Sequence, residues 1–131
     1  MSRVLALVDD LVFLSRIREA ARGTAAEIRP VRGAADLVAT ARDGGRLVLV
    51  DADSQRLPWA DAVVALRADP RVASLPVVAF LSHVHAEGAE AARAAGCSRV
   101  LARSAFVEEL PRLIAAAASA DTANTLQEND R

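Results

Sequence analysis

The chain has 131 residues, 16 basic and 17 acidic, with 53% hydrophobic but only 3% aromatic residues, a length and balance that suit one domain with a single core. Acids and bases are interspersed, which leaves no electrostatic footprint for nucleic acid or an anionic membrane, and no apolar run is long enough to cross a bilayer. The sole cysteine, Cys97, excludes an internal disulfide and suits a reducing compartment; the first strand starts too near Met1 to leave room for a signal peptide, so a cytoplasmic location is expected.

Val4 to Val8 is an apolar run of strand length closed by two carboxylates, Asp9 and Asp10. Leu14, Ile17 and Ala21 then recur at helical spacing, and Gly23 ends the helix. Residues 26–31 make a poorer strand whose Pro30 cannot donate to a ladder, which places it at a sheet edge. Ala34, Leu37, Val38 and Ala41 form the next helix face, stopped by Gly44 and Gly45. Leu47 to Val50 reads as a strand buried on both faces, and Asp51 stands where it runs out.

After Pro58 a helix runs from about Ala60 to Arg67, broken by Asp69-Pro70. Pro76 to Leu81 is a fourth buried strand. An Ala-rich helix from about Glu87 to Ala95 ends at Gly96, and Arg99 to Ala102 is a short fifth strand. The last helix is expected from about Val107 to Ala118, with Leu110, Leu113, Ile114 and Ala117 on one face and Pro111 near its first turn, where the missing N–H costs least. Residues 119–131 show no periodicity and are expected to be a disordered tail after a domain of residues 1–118.

Five strand–helix units with right-handed crossovers predict a doubly wound α/β domain, a five-stranded parallel sheet in the order 2-1-3-4-5 with helices on both faces. In that order the first and third strands are neighbours. Asp9, Asp10 and Asp51 then meet at the crevice where such sheets place their chemistry.

The arrangement resembles the receiver domain of bacterial two-component signalling, a flavodoxin-like fold. The resemblance spans Arg3 to about Ala118 and rests on Asp9-Asp10 after the first strand, Asp51 after the third, Leu75 to Val78 (Leu-Pro-Val-Val) opening the fourth and Ala94 to Gly96 (Ala-Ala-Gly) before the fifth. It implies that Asp51 is the position that takes a phosphoryl group from a histidine kinase. It also implies that Asp9, Asp10 and Asp51, with the backbone carbonyl of Asp53, would hold Mg²⁺. A Thr or Ser at the end of the fourth strand and a Lys at the end of the fifth would bind the phosphoryl oxygens, and an aromatic on the fifth strand would rotate inward.

This chain departs from that pattern. Counting from Asp51, the hydroxyl position is Leu81, the lysine position is Arg103 with Ser104 after it, the rotating aromatic is Val100, and the residues after the acid pair are Leu11, Val12 and Phe13. Two carboxylates about 5 Å apart repel by about 3 kcal/mol where the effective dielectric is about 20, so three of them need a cation or a proton. Mg²⁺ is one candidate. Arg103 is another, since its planar fork can grip Asp51 bidentately and never deprotonates. The expectation is that Arg103 closes on Asp51 and competes with metal and phosphoryl donor. Ser82, next to Leu81, would point to the opposite face unless a bulge intervenes.

Other features carry less. Asp51, Asp53 and Ser54 spell Asp-x-Asp-Ser, which resembles the nucleophile loop of haloacid-dehalogenase-like phosphatases, but that chemistry calls for a lysine downstream and the chain has none. His83 and His85 lack a third convergent metal ligand and read as loop residues. Cys97 reads as a small packed residue. Val12, Phe13, Leu57 and Trp59 ring the expected pocket mouth, either packed on their helices or exposed as an apolar partner patch.

The expected function is a stand-alone receiver-like signalling module of the degenerate kind called a pseudo-receiver. It would not be an enzyme; it would act by contact with another signalling protein, a histidine kinase or regulator, or with a second copy through the face of the fourth helix, fifth strand and fifth helix. Two alternatives stand beside it: a conventional Mg²⁺-dependent phosphoacceptor on Asp51, and a small phosphohydrolase using Asp51 as nucleophile.

Overall fold

The computed structural model describes residues 2–82 and 86–129, with side chains as far as Ser119. The elements alternate throughout: β1 (Ser2–Leu7), α1 (Leu11–Ala21), β2 (Ala26–Pro30), α2 (Ala34–Arg42), β3 (Gly45–Asp51), α3 (Trp59–Ala68), β4 (Val77–Leu81), α4 (Ala86–Ala95), β5 (Arg99–Ala102) and α5 (Arg103–Asn129). The strands pair in parallel in the order β2-β1-β3-β4-β5, as the pattern predicts, with the Pro30 strand at an edge.

The sheet divides the core by side-chain parity. Val4, Ala6, Leu47, Leu49, Val78 and Phe80 face α1 and α5, where Leu14, Ile17, Phe106, Leu110 and Ile114 cover them. Leu5, Leu7, Val48, Val50, Val77 and Ala79 face the other way, against Leu37, Val63, Leu66 and Ala92 of α2, α3 and α4. Strands buried on both faces are why β1, β3 and β4 read as unbroken apolar runs.

The final helix departs from expectation at both ends. It begins at Arg103, directly from β5, rather than near Val107. Phe106 is the reason: it is fully buried and heads the inward face of Leu110, Ile114 and Ala117, so the first turn is drawn onto the sheet. Pro111 therefore lies inside the helix, not in its first turn, at a cost of about 3 kcal/mol that this buried face must offset. Past Ala118 the helical backbone continues to Asn129, where a disordered tail was expected.

The turn into β5 is held by Arg67 of α3. Its Nε donates to the carbonyl of Gly96 at 2.8 Å, and Nη1 donates to the carbonyls of Ala73 and Leu75 at 2.7 and 2.6 Å. Gly96 itself has φ +120°, and a Cβ there would come within 2.7 Å of the Arg67 Cγ. Gly96→Ala is thus expected to strain the backbone and displace the clamp together, lowering unfolding free energy in urea by about 1–3 kcal/mol; an unchanged urea midpoint would contradict this account.

Candidate functional site

The ends of β1, β3 and β4 bring the acids to one edge of the sheet. Asp51 is the last residue of β3, and its side chain falls on the face turned toward α1 and α5, in step with Leu47 and Leu49. It is 4% exposed. Its Oδ1 accepts the backbone N–H of Asp53 at 3.0 Å. Asp10 caps α1, with Oδ1 accepting the N–H groups of Val12 and Phe13 at 3.0 and 3.1 Å, a helix start of the Asp N-cap kind. Asp9 accepts the hydroxyl of Ser54 at 3.2 Å, and the same hydroxyl takes the N–H of Leu57 at 3.1 Å. The Asp53 side chain accepts the backbone N–H of Ser82, which ties the loop after β3 to the end of β4.

Arg103, the first residue of α5, lies over these acids. One terminal nitrogen is 3.7 Å from Asp51 Oδ2, and the other is 3.9 Å from Asp10 Oδ2. Both are ion pairs beyond hydrogen-bond reach, and its Nε is buried with no partner. The bidentate grip on Asp51 expected from the sequence is therefore not what forms. The fork straddles two acids because Asp51 has given one oxygen to Asp53 and because aromatic rings fix the guanidinium from beneath. Its carbon is 4.8 Å from the centre of the Phe13 ring and 5.4 Å from that of Phe80. Such cation–π contacts contribute about 0.5–2 kcal/mol, most when desolvated.

Phe13, Phe80 and Phe106 are the only phenylalanines in the chain, and all three meet here, with ring centres 4.5 to 5.8 Å apart. Of the three, only Phe13 stands beside the acid pair in sequence. Phe80 and Phe106 were missed as site residues because each looks like an ordinary core position of its strand or helix. Only the pairing of β4 with β3 and the packing of α5 on α1 bring them together.

The expected partner patch breaks up. Phe13 and Leu57 are each only 5% exposed, and Trp59 is half-buried against the core. Phe13, Leu14, Ile17 and Ala21 share one apolar face of α1, and that face packs on the sheet. What remains outside is Val12, 76% exposed, beside Leu11 at 79%. At the switch positions, Leu81 is buried at the end of β4 and Val100 packs toward the α2–α4 side of the sheet. Ser82 is exposed. His83 and His85 lie outside the described residues.

Among the described residues, no three His, Cys, Asp or Glu side chains converge tightly enough to hold a metal ion. The acids of the candidate metal set are neighbours, but each has an oxygen committed elsewhere and a guanidinium stands between two of them. Mg²⁺ held by these acids would use their remaining oxygens and would require Arg103 to move aside.

Burial raises the pKa of Asp51 above the usual carboxylate range, opposed by the Asp53 N–H and the Arg103 charge and reinforced by the negative charges of Asp53 and Asp9. A carboxyl with a raised folded-state pKa costs stability when ionised. The cost is fully present above the folded pKa and gone below the unfolded value of about 3.9. Asp51→Asn should therefore raise the thermal midpoint at pH 7, with the difference vanishing near pH 3; a variant less stable than the parent at pH 7 would contradict the assignment.

No protein-family model matches the chain, and no curated protein sequence matches it. Solved structures do. A response regulator from Hahella chejuensis superposes with a TM-score of 0.76 at 18% identity, covering 89% of this chain and 95% of that one. The chemotaxis protein CheY4 of Vibrio cholerae gives 0.73 at 16% identity, covering 89% and 98%. The receiver domain of the sensor histidine kinase PA1611 from Pseudomonas aeruginosa, solved with a magnesium ion coordinated in its active-site cleft, gives 0.69 at 23% identity, covering 86% and 93%. The chain has the fold of the response-regulator receiver domain.

Proposed function

We infer that this protein is a receiver-like signalling module that works by protein–protein contact, with phosphoryl acceptance at Asp51 absent, slow or uncoupled from output. The observation that carries this reading is the near-complete burial of Asp51 under Arg103, which pairs with Asp10 as well. An aspartate that takes a phosphoryl group must present an oxygen in line with the donor. Here one oxygen is bonded to the Asp53 N–H and the other faces the guanidinium.

The relay beyond Asp51 is altered as well. Leu81, 3% exposed, has no hydroxyl to follow a phosphoryl group, and Val100 offers no ring to rotate. Arg103 and Mg²⁺ compete for the same acids, so metal entry requires the guanidinium to leave. The PA1611 receiver domain, which has this fold, coordinates a magnesium ion in its active-site cleft. The partner is a second signalling protein, a histidine kinase or regulator, or a second copy. The face of α4, β5 and α5 suits either, because β5 is an open sheet edge and Ala86, Ala91 and Ala94 are exposed on α4.

The test is to treat the protein with Mg²⁺ and acetyl phosphate, follow Asp51 by intact-mass spectrometry, and read Trp59, the one tryptophan, by fluorescence. The expected result is little or slow labelling, a flat Trp59 response to Mg²⁺ and beryllofluoride, and tighter Mg²⁺ binding in Arg103→Lys, whose ammonium cannot span two carboxylates. Stoichiometric labelling within minutes, with a Trp59 change on beryllofluoride, would mean a conventional phosphoacceptor. Steady turnover of a phosphoester, lost in Asp51→Asn, would mean a hydrolase.

A further inference from the structure

Between α1 and α5, at the carboxyl edge of the sheet, lies a cleft of about 650 Å³, within the range of small-molecule sites. Its walls differ in chemistry. Val12 and Phe13 of α1 and Val107 of α5 make one side apolar. Arg16 and Arg103 supply two guanidiniums, and Ser82 and Ser104 add hydroxyls. Asp10 is the single carboxylate in the lining, and half of it is spent on capping α1.

The positive groups are under-used. Arg16 is exposed, and no carboxylate among the described residues pairs with it. Arg103 has no partner for Nε, and its terminal nitrogens stop 3.7 and 3.9 Å from Asp51 and Asp10. A guanidinium carries five N–H donors, and those that are buried and unmet are costly. An acceptor in the cleft would meet the terminal ones.

We propose that this cleft is a binding site for a small amphipathic anion, a short alkyl or acyl chain bearing one phosphate or carboxylate group, held without covalent transfer. The head group sits between Arg16 and Arg103, where planar forks match both oxyanions. The chain lies on Val12, Phe13 and Val107. Asp51 is not in the lining, so the site stands whether or not Asp51 accepts a phosphoryl group. Because the anion and Asp51 draw on the same guanidinium, occupancy loosens the hold of Arg103 on Asp51.

The experiment is isothermal titration of the whole chain with hexyl phosphate, hexanoate, inorganic phosphate and hexanol. Saturable one-to-one binding of hexyl phosphate or hexanoate is expected, the tighter of the two identifying the head group, with inorganic phosphate and hexanol each at least about tenfold weaker. Arg16→Gln, at an exposed position that leaves the thermal midpoint unchanged, should weaken binding about tenfold. Asp51→Asn should keep binding and tighten it, since the carboxylate that competes for Arg103 is gone. The proposal is overturned by no binding of either amphiphile, by inorganic phosphate or hexanol binding as tightly, or by indifference to Arg16→Gln. Loss of binding in Asp51→Asn overturns it too, since the anion would then sit on the acceptor pocket itself.

Discussion

The feature on which the rest of the site depends is a guanidinium held between carboxylates above and phenyl rings below. A carboxylate buried at a strand end needs a counter-charge, a proton or water. In this chain a side chain supplies the charge, and the aromatic cluster keeps it there. Phe13 comes from α1, Phe80 from β4 and Phe106 from α5, so the seat of Arg103 is built by three elements at once. Anything that moves α5 against α1 moves the cation over Asp51. The position of the cation over Asp51 thereby depends on the packing of those two helices.

Two buried acids show how much this differs from an ordinary structural ion pair. Asp69 is held below the usual range, first by the Arg71 N–H and then by Arg42, which donates to it directly. Its charge is satisfied, and it fastens the end of α3 to α2. Its contribution to stability is present above the unfolded pKa and lost as pH falls through the folded one. Asp51 has one N–H and one guanidinium that stays out of hydrogen-bond range, and its pKa moves the other way. An acid kept buried and poorly compensated is a cost to the fold, and such costs concentrate at functional positions.

The strands were legible because burial on both faces leaves a signature that needs no tertiary knowledge, and Pro30 marked the edge for a purely local reason. The acids and Arg103 could be located by counting from Asp51. Geometry was less accessible. Whether Arg103 grips one carboxylate or spans two depends on where Phe80 and Phe106 lie, residues 26 positions apart brought together by pairing and packing. The start of α5 is hidden for the same reason, since burial of Phe106 extends the helix back to Arg103 against the local signals. The apolar patch dissolves because Phe13 shares the buried face of α1 with Leu14 and Ile17, while Leu57 is drawn into the core on the other side of the sheet.

Asp10 thus performs two tasks that pull in different directions. As a helix cap it turns one oxygen toward the N–H groups of Val12 and Phe13. As a partner of Arg103 it must offer the other oxygen to the sheet edge. A cation drawn into this site would have to share Asp10 with the cap and displace a guanidinium that rests on two rings. The first residues of α1, Leu11 and Val12, stand exposed directly beside that contest. A ligand or partner that covers them bears on the Asp10 cap and on Arg103 together, so the entrance to the pocket and its counter-ion form one mechanical unit.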